Sequence, residues 1–343
     1  MKKYNVAVVG ASGAVGEEIL RILEEIEFPL KNLVPLASSR SAGNCIEFNN
    51  SEIVIKELTE TIFKEENIEI ALFSAGGSVS AKFAPYAAEA GAVVIDNTSH
   101  FRMDEDVPLV VPEVNPEDIA SWRKRGVIAN PNCSTIQMVQ ALKPLDIAYD
   151  LQRVDVSTYQ ATSGAGKTAM EELVTQMQDF FAFKLDESEH KSFQHQIALN
   201  VIPQIDVFME NDYTKEEMKM VNETCKILHK DVEVSATCVR VPVLRGHSEA
   251  LTLTFDSAVD ATEARELLRK ALNVVIVDNP KESEYPMPAA CVDKNETFIG
   301  RIRNDTYREN ILHLWVVADN LRVGAATNAV RIAQKWIEME GEA

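Results

Sequence analysis

"YNVAVVGASGAVGEEILRILEEIE", Tyr4 to Glu27, joins a short apolar run to a glycine-rich turn and then to apolar residues at helical spacing. Val6, Ala7, Val8 and Val9 read as a strand buried on both faces. Ile19, Leu20, Leu23 and Ile26 recur at intervals that put them on one side of a helix. Between them lie Gly10, Gly13 and Gly16, in GxxGxxG spacing; Ser12 stands where the best-known dinucleotide fingerprint has a glycine. Small residues at such a turn let the backbone approach a pyrophosphate, and the helix that follows supplies N–H donors and a positive dipole end. An ordinary tight turn could carry the same glycines. Its place directly after the first strand favours dinucleotide binding.

Working outward, "NLVPLAS", "IEIALFSA", "AVVIDNT", "PLVVPEV" and "GVIAN" read as further strands, and "SAKFAPYAAEAG" as a helix ending at Gly91. Strands alternating with helices predict a parallel sheet covered on both faces. An NAD site usually has a carboxylate about 20 residues past the glycines, to hold the ribose 2′-hydroxyl. Here that region reads "PLASSRSAG", with Ser38, Ser39, Arg40 and Ser41 and no carboxylate. A guanidinium among hydroxyls suits a 2′-phosphate and favours NADP; a solvated loop charge is the alternative for Arg40. "FSAGGSVS" (73–80) is a second small-residue turn after a strand.

After Leu145 the pattern changes. "QRVDVSTYQ", "VEVSATCVRVPV", "EALTLTF", "TFIGRIR" and "ILHLWVVAD" are long strand candidates. "KTAMEELVTQMQDFFA", "KEEMKMVNETCKILH" and "ATEARELLRKAL" are helix candidates between them, and "AATNAVRIAQKWIEME" is a closing amphipathic helix. This half reads as α+β on a mixed or antiparallel sheet. "KLDESEHKSFQHQ" and "PKESEYPMP" read as loops.

A chain of 343 residues suggests two domains. The formal charge of -19 argues against a nucleic-acid partner, since phosphate backbones demand basic surfaces. It leaves room for an anionic small substrate held by a local cluster of cations. Five cysteines with no CxxC pair argue against a disulfide framework and a structural zinc site, so no metal is expected. The amino terminus lacks a signal-like apolar region, and no run reaches the ~18 apolar residues of a membrane span, so a reducing cytoplasm is expected.

"VIANPNCSTIQMVQALKPL", Val127 to Leu145, sets a thiol at a strand-to-helix seam. Cys133 opens the helix, where N–H groups and the dipole favour a thiolate nucleophile. A small buried residue is the commonest fate of a free cysteine, and Cys225, Cys238 and Cys291 fit it. A nucleophile needs a proton partner. His190, His195 and His229 lie in charged surroundings and His313 alternates within a strand. His100 sits in "DNTSHFRM"; His247, beside Gly246 and just past a strand end, is the best base among the six. "ATSGAGKT" resembles a phosphate loop, but Ala161 stands where the first glycine of GxxxxGK[ST] belongs, and no evident Asp-ending partner strand accompanies it. A triphosphatase is therefore disfavoured, and a second glycine turn that meets a ligand through backbone N–H groups is the simpler reading.

Together these segments resemble the aspartate-β-semialdehyde dehydrogenase family. "VAVVGASGAVGEE", "LASSRSAG", "IDNTSHFRM", "VPEVNP", "ANPNCSTIQMVQAL", "STYQATSGAG", "CVRVPVLRGHSEA", "FIGRIR" and "LWVVADNLRVGAATNAV" follow the family's order from end to end. The resemblance implies an α/β protein. A Rossmann-like NADP-binding domain would span residues 1–132, with a C-terminal helix, 321–343, returning to it. An α+β catalytic and dimerisation domain with a mixed sheet would span 133–320, giving a homodimer.

By the same resemblance Cys133 is the nucleophile, His247 the general acid/base, and Gln160 orients the acyl intermediate. Arg102 and Lys219 hold phosphate, Glu217 meets the substrate amino group and Arg240 its carboxylate, and Asn132 belongs to the same substrate- and phosphate-binding set. Gly10, Ser12, Gly13, Ala14 and Val15, then Ser38, Arg40 and Ser41, hold the cofactor, while Ser163, Gly164 and Asn320 meet its nicotinamide end. The implied reaction is NADPH-dependent conversion of L-aspartyl-β-phosphate to L-aspartate-β-semialdehyde through a cysteine thioester, on the route to lysine, threonine and methionine. A sibling, N-acetyl-γ-glutamyl-phosphate reductase, shares this logic but usually carries its cysteine in a PGCY-like context, where this chain has PNCS. A non-catalytic NADP-binding regulator would leave PNC and GHSE without a purpose.

Overall fold

Six parallel strands organise the first of two units, and a six-stranded mixed sheet the second, in a computed structural model that describes residues 2–342. Met1 and Ala343, the outer ends of the spans expected above, lie outside the described residues. The first unit runs to Asn132 and resumes at Ala325; the second runs from Cys133 to Gly324.

In chain order the first unit holds β1 (Tyr4–Val9), α1 (Ala14–Glu25), β2 (Leu30–Ala37), β3 (Cys45–Phe48), β4 (Ser51–Val54), β5 (Lys56–Glu57), α2 (Ile62–Glu65), β6 (Ile70–Phe73), α3 (Gly77–Glu89), β7 (Val93–Asp96) and β8 (Val127–Ala129). The sheet order is β5-β2-β1-β6-β7-β8. The chain thus builds outward from β1 in both directions, and the reversal falls between β1 and β6. Val6 to Val9 are fully buried, as continuous apolar strands of a covered parallel sheet must be. Ile19, Leu20, Ile22 and Leu23 of α1 are buried in one core with Val330, Ile332 and Trp336 of the C-terminal helix. Each such Leu or Ile contributes about 1.5–3 kcal/mol.

Two local features depart from the sequence expectation. "PLVVPEV" forms only one isolated bridge, Leu109 with Ala129, because Pro108 and Pro112 carry no N–H to donate. A hairpin pairs β3 with β4 where no strands were expected; Asn49 and Asn50 at its tip take φ of 50° and 57°, the left-handed pair that a tight hairpin turn requires.

The second unit holds α4 (Cys133–Tyr149), β9 (Leu151–Gln160), α5 (Lys167–Phe181), α6 (Lys215–Leu228), β10 (Glu233–Arg240), β11 (His247–Phe255), α7 (Ala261–Arg269), β12 (Val274–Ile276), α8 (Pro288–Cys291), β13 (Thr297–Asn304) and β14 (Ile311–Ala318). Its sheet order is β10-β9-β11-β14-β13-β12, with parallel pairs at each edge and antiparallel pairs between. This is the mixed sheet expected of an α+β half. Residues 134–142 of α4 are all buried, so the helix runs through the core and not along its surface. The chain ends in α9 (Thr327–Glu342), which packs in the first unit. Among the described residues no helix is long and apolar enough to cross a membrane, and no cluster of His, Cys, Asp or Glu is placed to hold a metal ion.

Candidate active site

In the first unit the glycine turn lies at the carboxyl end of β1, at the sheet's switch point. Gly10 has φ +86°, and a Cβ there would come within 3.0 Å of Ala75, which follows β6. A Cβ on Gly16 would lie 2.1 Å from the Gly10 carbonyl oxygen. Both positions therefore demand glycine, and the turn is closed by the Gly13 amide donating to Gly10 O (2.9 Å). Gly13 is the N-cap of α1 and has no side chain to occupy the first-turn amides. Ala14 and Val15 open the helix, and Ser12 lies in the turn. A backbone cradle of this kind fits the phosphates of a dinucleotide.

Ser38, Arg40 and Ser41 follow β2, the neighbour of β1; Arg40 is exposed, and Ser41 N closes a turn on Ser38 O (2.9 Å). Arg102 is buried, with Nε donating to Asn130 O (2.9 Å) and Nη2 to Asn97 O (2.8 Å). Asn132, also buried, is the last residue of this part of the unit.

The second unit gathers a denser constellation. Cys133 is the first residue of α4 and is half-buried. His247, first residue of β11, is fully buried; its Nδ1 accepts from Ala161 N (3.0 Å). Gln160 ends β9 next door. Its Oε1 accepts from Thr158 Oγ1 (3.0 Å) and its Nε2 donates to Glu216 Oε1 (3.1 Å), with Nε2 3.4 Å from His247 Nε2. Arg240, at the end of β10, is 5% exposed and donates from Nη1 to Ala161 O (2.6 Å). Burial lowers the Arg240 pKa; Glu216, Cys133 and Cys238 act the other way. Burial, and next the Arg240 charge, push His247 down to about 3, so its imidazole is neutral.

The SGAG turn covers this cluster with backbone. A Cβ on the exposed Gly164 would sit 3.1 Å from Arg240 Nη1 and 3.3 Å from His247 Nε2. Ser163 and Asn320 are buried and paired, Ser163 Oγ to Asn320 Oδ1 at 3.0 Å. The chemistry available is a thiol at a helix N-terminus, a primary amide and a carboxylate, with a neutral imidazole and a buried guanidinium beside a glycine turn.

One residue expected in the site lies elsewhere. Glu217 is the N3 carboxylate of α6: Oε2 accepts from Thr214 N (2.7 Å) in a capping box, and Oε1 accepts from Cys238 N (2.9 Å). Its neighbour Glu216, which the sequence reading passed over, is the carboxylate that reaches Gln160 and whose charge acts on Arg240 and His247. The missed signal was spacing: Glu216 and Lys219 are three apart on one helix face, and Glu216 Oε2 accepts from Lys219 Nζ (3.0 Å). Lys219 Nζ also donates to Asp206 Oδ2 (3.1 Å). Although burial opposes its charge, the two carboxylates hold the Lys219 pKa above the ordinary value.

The family profile described as the semialdehyde dehydrogenase NAD binding domain matches residues 5–122, and the semialdehyde dehydrogenase dimerisation domain matches residues 142–323. The chain is 65% identical over 341 residues to the aspartate-semialdehyde dehydrogenase of Campylobacter jejuni, covering 99% of both sequences. It resembles the crystal structure of aspartate semialdehyde dehydrogenase II from Vibrio cholerae complexed with ASA, with TM-score 0.95 and 48% identity over 98% of this chain and 99% of that one. It also resembles the Candida albicans enzyme crystallised with NADP, with TM-score 0.74 and 25% identity over 98% of this chain and 99% of the other.

Proposed function

We propose, on the premise that this chain belongs to the aspartate-semialdehyde dehydrogenase family, that it converts L-aspartyl-β-phosphate to L-aspartate-β-semialdehyde with NADPH, and the reverse with phosphate as acceptor. The observation that carries the reading is the convergence of Cys133, Gln160, Arg240, Glu216 and His247 in the second unit, with a nucleophile at a helix N-terminus.

The Cys133 sulfur attacks the β-carbonyl carbon and phosphate departs, leaving a thioester. The cofactor, when bound, supplies the hydride that this carbon accepts. His247 holds its proton at Nε2, supports the carbonyl oxygen as negative charge grows there, and takes back any share of that proton as aldehyde and thiolate separate. Gln160, oriented by Thr158 and Glu216, keeps the acyl group in place. Arg240 grips the α-carboxylate with the fork of its guanidinium. Glu216 takes the substrate ammonium, the role the sequence reading gave to Glu217. Arg102, Asn132 and Lys219 attend phosphate; for Lys219 this means exchanging one of its carboxylate partners.

A nicotinamide cofactor belongs to the matched domain; its identity as NADP is our reading. Arg40, exposed just past β2 among serines, supports this reading because a guanidinium can pair with a 2′-phosphate, and the Candida albicans relative was crystallised with NADP. Gly10, Ser12, Gly13, Ala14 and Val15 cradle the pyrophosphate, and Ser163, Gly164 and Asn320 meet the nicotinamide end. The match to a dimerisation domain supports a homodimer, and five cysteines without a disulfide support a cytoplasmic setting. The deciding assay is phosphate-dependent NADPH formation from aspartate semialdehyde, with NAD in parallel and ATP hydrolysis as control. Product that forms without phosphate, or only with an N-acetylated γ-semialdehyde, would remove this reading.

A further inference from the structure

Asp319 follows the last residue of β14 and is fully buried. Its carboxylate collects four donors. Oδ2 accepts from Arg245 Nη2 (2.6 Å) and from Asp293 N (2.8 Å). Oδ1 accepts from Leu321 N (3.0 Å) and Arg322 N (3.4 Å), and the Asp319 carbonyl accepts from Gly324 N (3.3 Å). The carboxylate therefore caps the start of the turn 319–324 and ties it to the segment carrying His247, while the backbone carbonyl of the same residue takes the Gly324 amide.

The two ends of that turn reach the two reacting side chains. A Cβ on Gly324 would lie 2.6 Å from Cys133 Cβ and 3.1 Å from its Cα, so the backbone of residue 324 rests directly on the nucleophile. At the other end Arg245 stands two residues before His247. Ala318 pairs with His247 across β14 and β11, and Asn320 Oδ1 accepts from Gly246 N (2.9 Å). A buried carboxylate with every lone pair occupied is a rigid anchor, since shifting it would strand several donors at once.

We propose that Asp319 is a positioning residue for the Cys133–His247 pair: it holds Gly324 against Cys133 and, with Arg245 and Asn320, fixes the strand start that carries His247. This rests on the assignment of those two residues as the reacting groups. Displacing a reactive group by about 1 Å costs on the order of a hundredfold in rate, whereas affinity for substrates held by other side chains is spared.

The test measures kcat, both KM values and the rate of Cys133 alkylation by iodoacetamide across pH, in the full-length enzyme below its melting temperature. Asp319→Asn keeps the shape but turns an amide NH2 toward Arg245 or the turn amides. It should lower kcat roughly 10- to 100-fold, with KM for semialdehyde and phosphate changed less than about threefold, and shift the alkylation profile. Arg245→Lys, which keeps the charge, should recover most of the activity lost in Arg245→Met. Gly324→Ala probes the same contact without touching a polar group, and stands in if Asp319→Asn does not fold; it should lower kcat and slow alkylation together. Wild-type kcat and alkylation in Gly324→Ala and in folded Asp319→Asn would overturn the proposal, as would a loss of thermal stability with unchanged kinetics. Failure of the catalytic assignment would look different: Cys133→Ser would stay active whatever Asp319 does.

Discussion

The backbone amide of Ala161 donates to Nδ1 of His247 across 3.0 Å. An accepting Nδ1 in a neutral imidazole leaves the proton on Nε2, the nitrogen that lies beneath Gly164. Gln160 meets the other ring nitrogen: its Nε2 gives one hydrogen to Glu216 and lies 3.4 Å from His247 Nε2, while its oxygen accepts from Thr158.

The tautomer has a pH signature. Burial first, then Arg240, lower His247 from 6.5 to about 3 in the folded protein. Between those values the unfolded chain binds a proton that the folded one refuses. The contribution to stability is full above about pH 6.5 and is lost as pH falls toward 3, with a slope of up to about 1.4 kcal/mol per pH unit. Urea melts of the wild type and His247→Gln from pH 4 to 7 should diverge with that slope. Parallel curves would mean that His247 carries the same proton in both states.

Glu249, two residues along β11, behaves oppositely. It is fully buried, and among the described residues neither carboxyl oxygen has a hydrogen-bond partner. Burial raises its pKa well above the carboxylate range, while the Gln137 side chain acts against that shift. The folded state thus keeps a proton that the unfolded state gives up near 4.5, and stability falls as pH rises through and above that value. Glu249→Gln should be more stable than wild type at pH 8, by a margin that shrinks as pH approaches 5. A margin independent of pH would show that Glu249 is ionised when folded.

Glu216 and Glu217 should separate cleanly. Glu216→Gln is expected to raise KM for the semialdehyde and lower kcat, since it faces Gln160 and acts on Arg240. Glu217→Ala removes half of the capping box and the acceptor for Cys238 N. It should cost about 0.5–2 kcal/mol of stability and leave both KM values alone. Steady-state kinetics paired with thermal melts decide it, and the reverse pattern would restore Glu217 to the site.

Cys133→Ser should keep the fold and cofactor binding while turnover nearly vanishes, because a hydroxyl is far from ionised at neutral pH. Thiol labelling needs one precaution: Cys45 is exposed in the hairpin and will react as well. Cys238 and Cys291 are shielded, and burial raises the Cys291 thiol to about 11. In a Cys45→Ser background, inactivation should follow one equivalent of reagent at Cys133, read by peptide mass. Inactivation that tracks Cys225 instead would contradict the thioester route.

Arg40→Ala should weaken NADP and spare NAD. A charge-assisted contact is worth about 1.5–3 kcal/mol, so the ratio of the two affinities should fall roughly tenfold or more. Equal losses would mean that Arg40 only supports its loop.

Some features were local enough to read from the chain. The Val6–Val9 run, the glycine turn and the apolar stripe of α1 each reflect a short-range rule: burial on both faces, close backbone approach, and helical spacing. The start of α4 at Cys133 is of the same kind. "PLVVPEV" misled because its apolar residues outweighed two prolines in a pattern count, although each proline removes a ladder donor. The β3–β4 hairpin hid in polar residues, since its driving force is the left-handed Asn49–Asn50 pair and not an apolar face.

The order of elements, the parallel sheet with its glycine turn and the mixed second sheet were determined by the sequence itself, through periodicity and turn chemistry acting over a few residues. Tertiary structure alone decided which of two adjacent glutamates enters the site, because Thr214 and Cys238, three and 21 residues from Glu217, compete for its carboxylate. It also decided that Gly324 must be a glycine, because Cys133, 191 positions earlier, occupies the space a Cβ would need. Such choices depend on groups brought together from distant parts of the chain, and steric exclusion and hydrogen-bond competition at that range leave no periodic trace in the residues themselves.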